Sequence, residues 1–273
     1  DVAIKVLNEE LRHNNEAQRI FLAEARSLAT LKHPNLVTVH DVTTIDNVAM
    51  IVTEFVAGQN LEEYVRLNGG MDEDAVIKIA HQLAQALSYM HERGMIHRDI
   101  KPGNLIIRED GSLKVIDFGL ARSLEQIMIR GTRRRGTPAY MAPEQIEGGE
   151  LTAKTDLYQV GITLYELLSS YLPFEASDMA YAHVHMAPRP IADLVPNVSF
   201  GLARLIGDCL AKDPAARPEG AAALIPPLER LRAAGMGDAT EELRVIGIGS
   251  LNFSQTQPGA DDVDPSLQGL EAS

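Results

Sequence analysis

Residues 156–168, DLYQVGITLYELL, are apolar on nearly every face. A helix of that kind has no side to offer water, so other elements must surround it at the centre of a large core. At 273 residues and 45% hydrophobic content, the chain is long enough to supply such a core. The pattern predicts a larger, mainly helical lobe built around this segment.

The first third reads differently. Val2 to Leu7 is rich in β-branched residues, which predicts a strand. NEAQRIFLAEARSLATLKHPN carries Ile20, Leu22, Ala25, Leu28 and Leu31 at mostly helical spacing, which predicts a helix running until His33 and Pro34 stop it. Val37–Val42 and Val48–Val52, separated by TTIDN, predict a hairpin. Residues 1–55 therefore read as part of a small β lobe with one helix. VAGQN at 56–60 has the composition of a linker, and residues 56–234 form the larger lobe. Within it, Asp72 caps a long amphipathic helix that ends before Gly94. NLIIREDGSLKVIDFG predicts two short strands turning at Asp110 and Gly111. From residue 235 the chain is rich in Gly, Ser, Gln and Asp with weak periodicity, so 235–273 is expected to be a disordered tail.

Composition narrows the function. A single cysteine, Cys209, rules out an internal disulfide framework and any multi-cysteine metal site. A net charge of −13 repels phosphate backbones, so nucleic acid is not an expected partner. No apolar run reaches the length of a membrane span. The expected location is cytoplasmic, which leaves room for an anchor outside the covered segment.

The chemistry concentrates in HRDIKPGN at 97–104 and DFG at 117–119. Asp99, Lys101, Asn104 and Asp117 would bring two carboxylates, an amide and a cation to one place. Mg²⁺ takes hard oxygen ligands and keeps several waters, so one carboxylate and one amide oxygen suffice beside phosphate oxygens. A second carboxylate, off the metal, can accept a proton from an attacking hydroxyl.

With VAIK, GTPAYMAPE, DLYQVG and DPAARP in the same order, these motifs make the chain resemble a serine/threonine protein kinase of the eukaryotic-like bacterial kind over about residues 1–230. The resemblance implies an α+β, bilobal protein-kinase-like fold that uses ATP and Mg²⁺ to phosphorylate Ser and Thr hydroxyls of protein substrates. Asp99 is then similar to the catalytic base, Lys101 to the cation that steadies the transferred group, and Asn104 and Asp117 to the metal ligands. Lys5 resembles the strand lysine that holds the nucleotide phosphates, with Glu24 as its helix partner. Adenine would lie between Ala3 and Ile106, with backbone groups of Glu54 and Val56 at its edge and Thr53 behind it.

The resemblance also implies regulation. The segment from Asp117 to Glu144 would be the activation and docking segment. Arg98 would meet a phosphate on Thr132, with Ser123 the second candidate, and Thr137 would contact Lys101 and the base. Glu144 and Arg217 would pair to lock the segment down, and Asp156 would anchor the catalytic loop. Leu28, Val39, His97 and Phe118 would stack as a column between the lobes. Self-association would serve autophosphorylation. His91, His183 and His185 read as surface or packing residues.

Kinases carry a glycine-rich hairpin before the lysine strand, and nothing precedes Asp1 here. Truncation within the domain is the expected reason, because the other polar site residues are all present. The competing readings are a pseudokinase scaffold that lost its lid and a small-molecule phosphotransferase of related fold. GTPAYMAPE, a docking-loop sequence, speaks against the latter.

Overall fold

The computed structural model describes residues 1–7, 11, 14–46, 48–117 and 138–235. Phe118, Ser123, Thr132, Thr137 and the tail from 236 lie outside the described residues. Asp1–Asp238 form one compact unit, with a small sheet lobe and a larger helical lobe.

Three antiparallel strands, β1 (Val2–Val6), β2 (Val39–Ile45) and β3 (Val48–Glu54), form the small sheet in the order β1-β3-β2. Lys5 pairs with Ile51 in the β1–β3 register, and Ala3 with Thr53. Helix α1 (Asn15–Leu28) lies against β2 and β3 and buries Ala17, Phe21, Ala25 and Leu28, four residues on one face at a four-, four- and three-residue spacing. Asn14 caps it by accepting the N–H groups of Glu16 and Ala17, both at 3.0 Å. The helix ends at Leu28 rather than reaching His33. Thr30 turns its Oγ1 back onto the Ser27 carbonyl at 2.7 Å, and Leu31 N–H bonds Leu28 O, so the chain tightens into a turn. Leu31 is still buried, which is why the apolar spacing overran the helix.

In the larger lobe, α2 (Leu61–Asn68) is followed by α3 (Glu73–His91), whose Asp72 cap accepts Ala75 N–H at 2.8 Å. The antiparallel strands β5 (Leu105–Ile107) and β6 (Leu113–Val115) turn at Gly111, which has φ of +76°. A two-residue strand, β4 (Gln59–Asn60), extends this sheet from the linker side. Next come α4 (Pro143–Glu147) and α5 (Ala153–Ser169). From Thr155 to Leu168 every residue of α5 is buried except Glu166. Further α-helices among the described residues are α6 (Met179–His185), α7 (Phe200–Cys209) and α8 (Ile225–Gly235). Helices α5 and α7 approach closely at Gly161, where an added Cβ would lie 2.9 Å from Cys209 Cβ. No helix among the described residues is long and apolar enough to cross a membrane.

Candidate active site

The loop before β5 is held from below by α5. Asp156, with no exposed surface, accepts Arg98 N–H on Oδ1 at 2.7 Å and His97 N–H on Oδ2 at 2.8 Å. His91, at the end of α3, places Nε2 2.8 Å from the same Oδ2. One turn along α5, Gln159 accepts Ile100 N–H at 2.8 Å and donates to Arg98 O at 2.9 Å, and Gln145 donates to that carbonyl at 3.1 Å. These bonds hold Arg98 at φ of +67°, a conformation that a residue with a Cβ keeps only when its surroundings over-determine it.

His97 is fully buried, and burial lowers its pKa against the opposing pull of Asp156 and Asp99. Its Nδ1 accepts Asp99 N–H at 3.3 Å, which leaves the proton on Nε2, 3.3 Å from Ile116 O. The ring thus links the loop carrying Asp99 to the residue before Asp117.

Asp99, Lys101 and Asn104 come together. Asn104 Nδ2 donates to Asp99 O at 2.7 Å and to Asp99 Oδ2 at 2.9 Å, and Lys101 Nζ lies 3.1 Å from Oδ2. Asn104 O accepts Ile116 N–H at 2.9 Å, which ties this loop to the chain entering Asp117. Asp117, at φ of +53°, turns its carboxylate toward β1, where Lys5 Nζ meets Oδ1 at 2.9 Å.

That contact corrects the expected Lys5–Glu24 pair. Among the described residues Lys5 pairs with Asp117, while Glu24 lies 3.9 Å from Arg98. The physical reason is competition: a guanidinium stands within reach of Glu24, and Asp117 presents its carboxylate to Lys5. The Lys5 and Asp117 side chains are 34% and 52% exposed, so this pair is screened and adds little to stability.

The residues expected around adenine are spread over both lobes. Ala3 and Thr53 are neighbours on β1 and β3, and Ile106 pairs with Lys114 on the larger lobe's sheet. Val56 packs partly against the core. Gly58 brings the linker so close to β5 that an added Cβ would sit 2.4 Å from Ile107 O. Glu54 turns its side chain away, accepting Thr38 N–H at 2.8 Å and Lys114 Nζ at 2.6 Å.

Glu144 and Arg217 form a two-bond pair at 2.8 and 2.9 Å, with the Arg217 side chain fully buried. Burial works to raise the Glu144 pKa, but the hydrogen bonds and positive charge of Arg217, with further hydrogen bonds to its carboxylate, together outweigh it and the carboxyl stays below its ordinary value. Leu28 belongs to the hydrophobic core, Val39 is partly buried and packs against it, and His97 is fully buried; Phe118, the fourth member of the expected column, lies outside the described residues.

Sequence reasoning missed several partners. His91, expected as a surface or packing residue, is largely buried and binds the Asp156 carboxylate 65 positions away. Gln159, Gln145 and Lys114 were also passed over, as was Tyr140, whose hydroxyl donates to Glu166 of α5. The only local signal was Gln159, one turn after Asp156 on a helix otherwise apolar on nearly every face.

The donor chemistry fits a small hard cation. Both amide hydrogens of Asn104 face Asp99, so its carbonyl oxygen is the atom turned elsewhere, and Asp117 Oδ2 is not taken by Lys5. An amide oxygen and a carboxylate oxygen on adjoining chain segments are what Mg²⁺ needs when phosphates and waters complete its shell.

Residues 1–227 match the family described as Protein kinase domain. The chain is 36% identical over 235 residues to a "Probable serine/threonine-protein kinase" of Clostridium perfringens, covering 85% of this chain and 34% of that protein. It is 37% identical over 225 residues to the serine/threonine-protein kinase PrkC of Bacillus subtilis, covering 81% and 35%. It thus spans about a third of the length of these curated relatives. Among solved structures, Rad53 in complex with AMP-PNP superposes with a TM-score of 0.69 at 28% identity, covering 83% of this chain and 58% of that one. Fold, loop geometry and kinship agree: the chain belongs to the protein kinase family, as a eukaryotic-like serine/threonine kinase catalytic domain.

Proposed function

We propose that the protein transfers the γ-phosphate of ATP to Ser and Thr hydroxyls of protein substrates, with Mg²⁺ as cofactor. The observation that carries this reading is the arrangement of Asp99, Lys101 and Asn104 at one loop, joined by the Ile116 N–H to Asn104 O bond to the segment leading into Asp117. The complex of Rad53 with AMP-PNP supports the nucleotide by kinship.

In this reading Asp99 accepts the proton of the attacking hydroxyl and orients its oxygen, a role worth roughly 10²–10⁴ in rate. Lys101, beside the base, holds the transferring group's negative charge in place without giving up its proton. Asn104 and Asp117 hold the cation, which when bound neutralises charge on the phosphate oxygens. Lys5 leaves Asp117 to take up the phosphates, so nucleotide binding and the release of Asp117 are one event. Phosphate on Thr132 would draw Arg98 away from Glu24, freeing Glu24 for Lys5.

The test is incorporation of labelled phosphate from γ-labelled ATP into a general protein substrate by the natural full-length protein, with and without Mg²⁺, followed by phosphoamino-acid analysis. Mg²⁺-dependent phosphoserine and phosphothreonine are expected. Incorporation into tyrosine alone, or none with Mg²⁺ present, contradicts the proposal.

A further inference from the structure

Lys114 is a lysine with 7% of its surface exposed, and burying an ammonium is costly unless a carboxylate and further acceptors surround it. They do. Its Nζ lies 2.6 Å from Glu54 Oε1 and donates to Leu36 O at 3.1 Å. Glu54 Oε1 also accepts Thr38 N–H at 2.8 Å, and the Glu54 backbone N–H bonds Thr38 O at 2.9 Å. Burial would raise the Glu54 pKa, yet the Lys114 and Thr38 hydrogen bonds keep it below its ordinary value.

The location of this cluster matters more than its strength. Glu54 is the last residue of β3, where the small lobe passes into the linker. Lys114 lies on β6, opposite Ile106 in the antiparallel register and three residues before Asp117. Leu36 belongs to the connection after α1, which runs beside β6 through a parallel bridge to Val115. One ammonium therefore joins the start of the linker, the α1–β2 connection and the strand that ends two residues before the proposed metal ligand. Adenine would lie between Ala3 and Ile106 with the linker at its edge, and this ion pair ties the start of that linker to the strand paired with Ile106.

We infer that Lys114, through Glu54, is a positioning residue for nucleotide: the pair fixes the spacing between the linker and the β5–β6 sheet, and so couples adenine binding to the placement of Asp117. This rests on the ATP-dependent reading above. It assigns to Lys114 a role beyond packing, since a bridge confined to one lobe would stabilise the fold without touching nucleotide affinity.

The experiment measures the affinity of the natural full-length protein for AMP-PNP with Mg²⁺ by calorimetry, and its melting temperature, for Lys114→Met, Glu54→Gln and the double variant. Gln at position 54 keeps an acceptor for Thr38. Each single change should lower the melting temperature, because it strands a charge or its partner, and should weaken nucleotide binding by about tenfold, the scale of coupling between contacting groups. In the double variant no charge is stranded, so the melting temperature should recover most of the loss while nucleotide affinity stays weakened. Affinity that recovers together with melting temperature, that never changes, or that rises when the pair is removed would overturn the inference and leave the kinase reading standing. Failure of the unsubstituted protein to bind AMP-PNP with Mg²⁺ would overturn both.

Discussion

Lys5 Nζ stands 2.9 Å from Asp117 Oδ1, so the cation proposed for the phosphates and the carboxylate proposed for the metal neutralise each other across the cleft. Lys5 must turn from Asp117 toward the nucleotide before it can hold the phosphates, whereas Asp117 keeps Oδ2 for the metal. Lys5→Met should therefore cut kcat/KM for ATP by at least about 100-fold, on the scale of one lost electrostatic contact to a transferring group. The pair is partly exposed, so the melting temperature should barely move. Steady-state kinetics with varied ATP, together with thermal melts, check both halves.

Asp156 supports the loop through both of its oxygens, and an amide can accept on only one. Asp156→Asn would set an NH₂ group against the N–H of His97 or Arg98 in a site without water exposure. We expect a stability loss of about 3–5 kcal/mol, as for a broken buried ionic network. Chemical denaturation measures it. A loss under about 1 kcal/mol would mean the backbone of the loop does not depend on this carboxylate.

The Glu144–Arg217 pair should leave a signature in pH. Because the folded carboxyl lies below its ordinary 4.5, its contribution is fully present above that pH and fades as acid protonates the folded group. Glu144→Gln strands the buried guanidinium and should cost about 3–5 kcal/mol at neutral pH. Its deficit against the unsubstituted protein should shrink on going well below pH 4.5. A deficit constant with pH would assign the loss to packing alone.

Gly58→Ala tests the linker. The added Cβ would meet Ile107 O at 2.4 Å and Ile106 Cγ2 at 2.7 Å, and a carbonyl on a paired strand cannot rotate aside. The linker must lift from β5, at a cost of about 1–3 kcal/mol. AMP-PNP affinity should fall along with stability. Unchanged affinity would place the nucleotide away from Ile106.

Much of this architecture was legible because local chemistry specified it. Asp72 as a cap, Asp110–Gly111 as a turn and the all-apolar α5 each depend on residues within one turn or one helix. The end of α1 was not legible, since Leu31 is buried on a turn as it would be on a helix. Motif order identified the loop residues, and the structure gathers Asp99, Lys101 and Asn104 within hydrogen-bond reach. The partner of Glu24 was beyond sequence, because choosing between Lys5 and Arg98 depends on where α1 sits against the other lobe. Lys114 was hidden for a related reason: its partner is 60 residues away, and a lysine in a strand ordinarily faces water.

The most direct test of the account compares phosphate transfer by the natural full-length protein with that by Asp99→Asn, at equal occupancy of Mg²⁺–ATP measured in parallel. Asn keeps the size of the side chain and an acceptor for Asn104 but cannot take the hydroxyl proton. The account predicts retained nucleotide binding with transfer reduced by roughly 10²-fold or more. Equal transfer by the two proteins would contradict it.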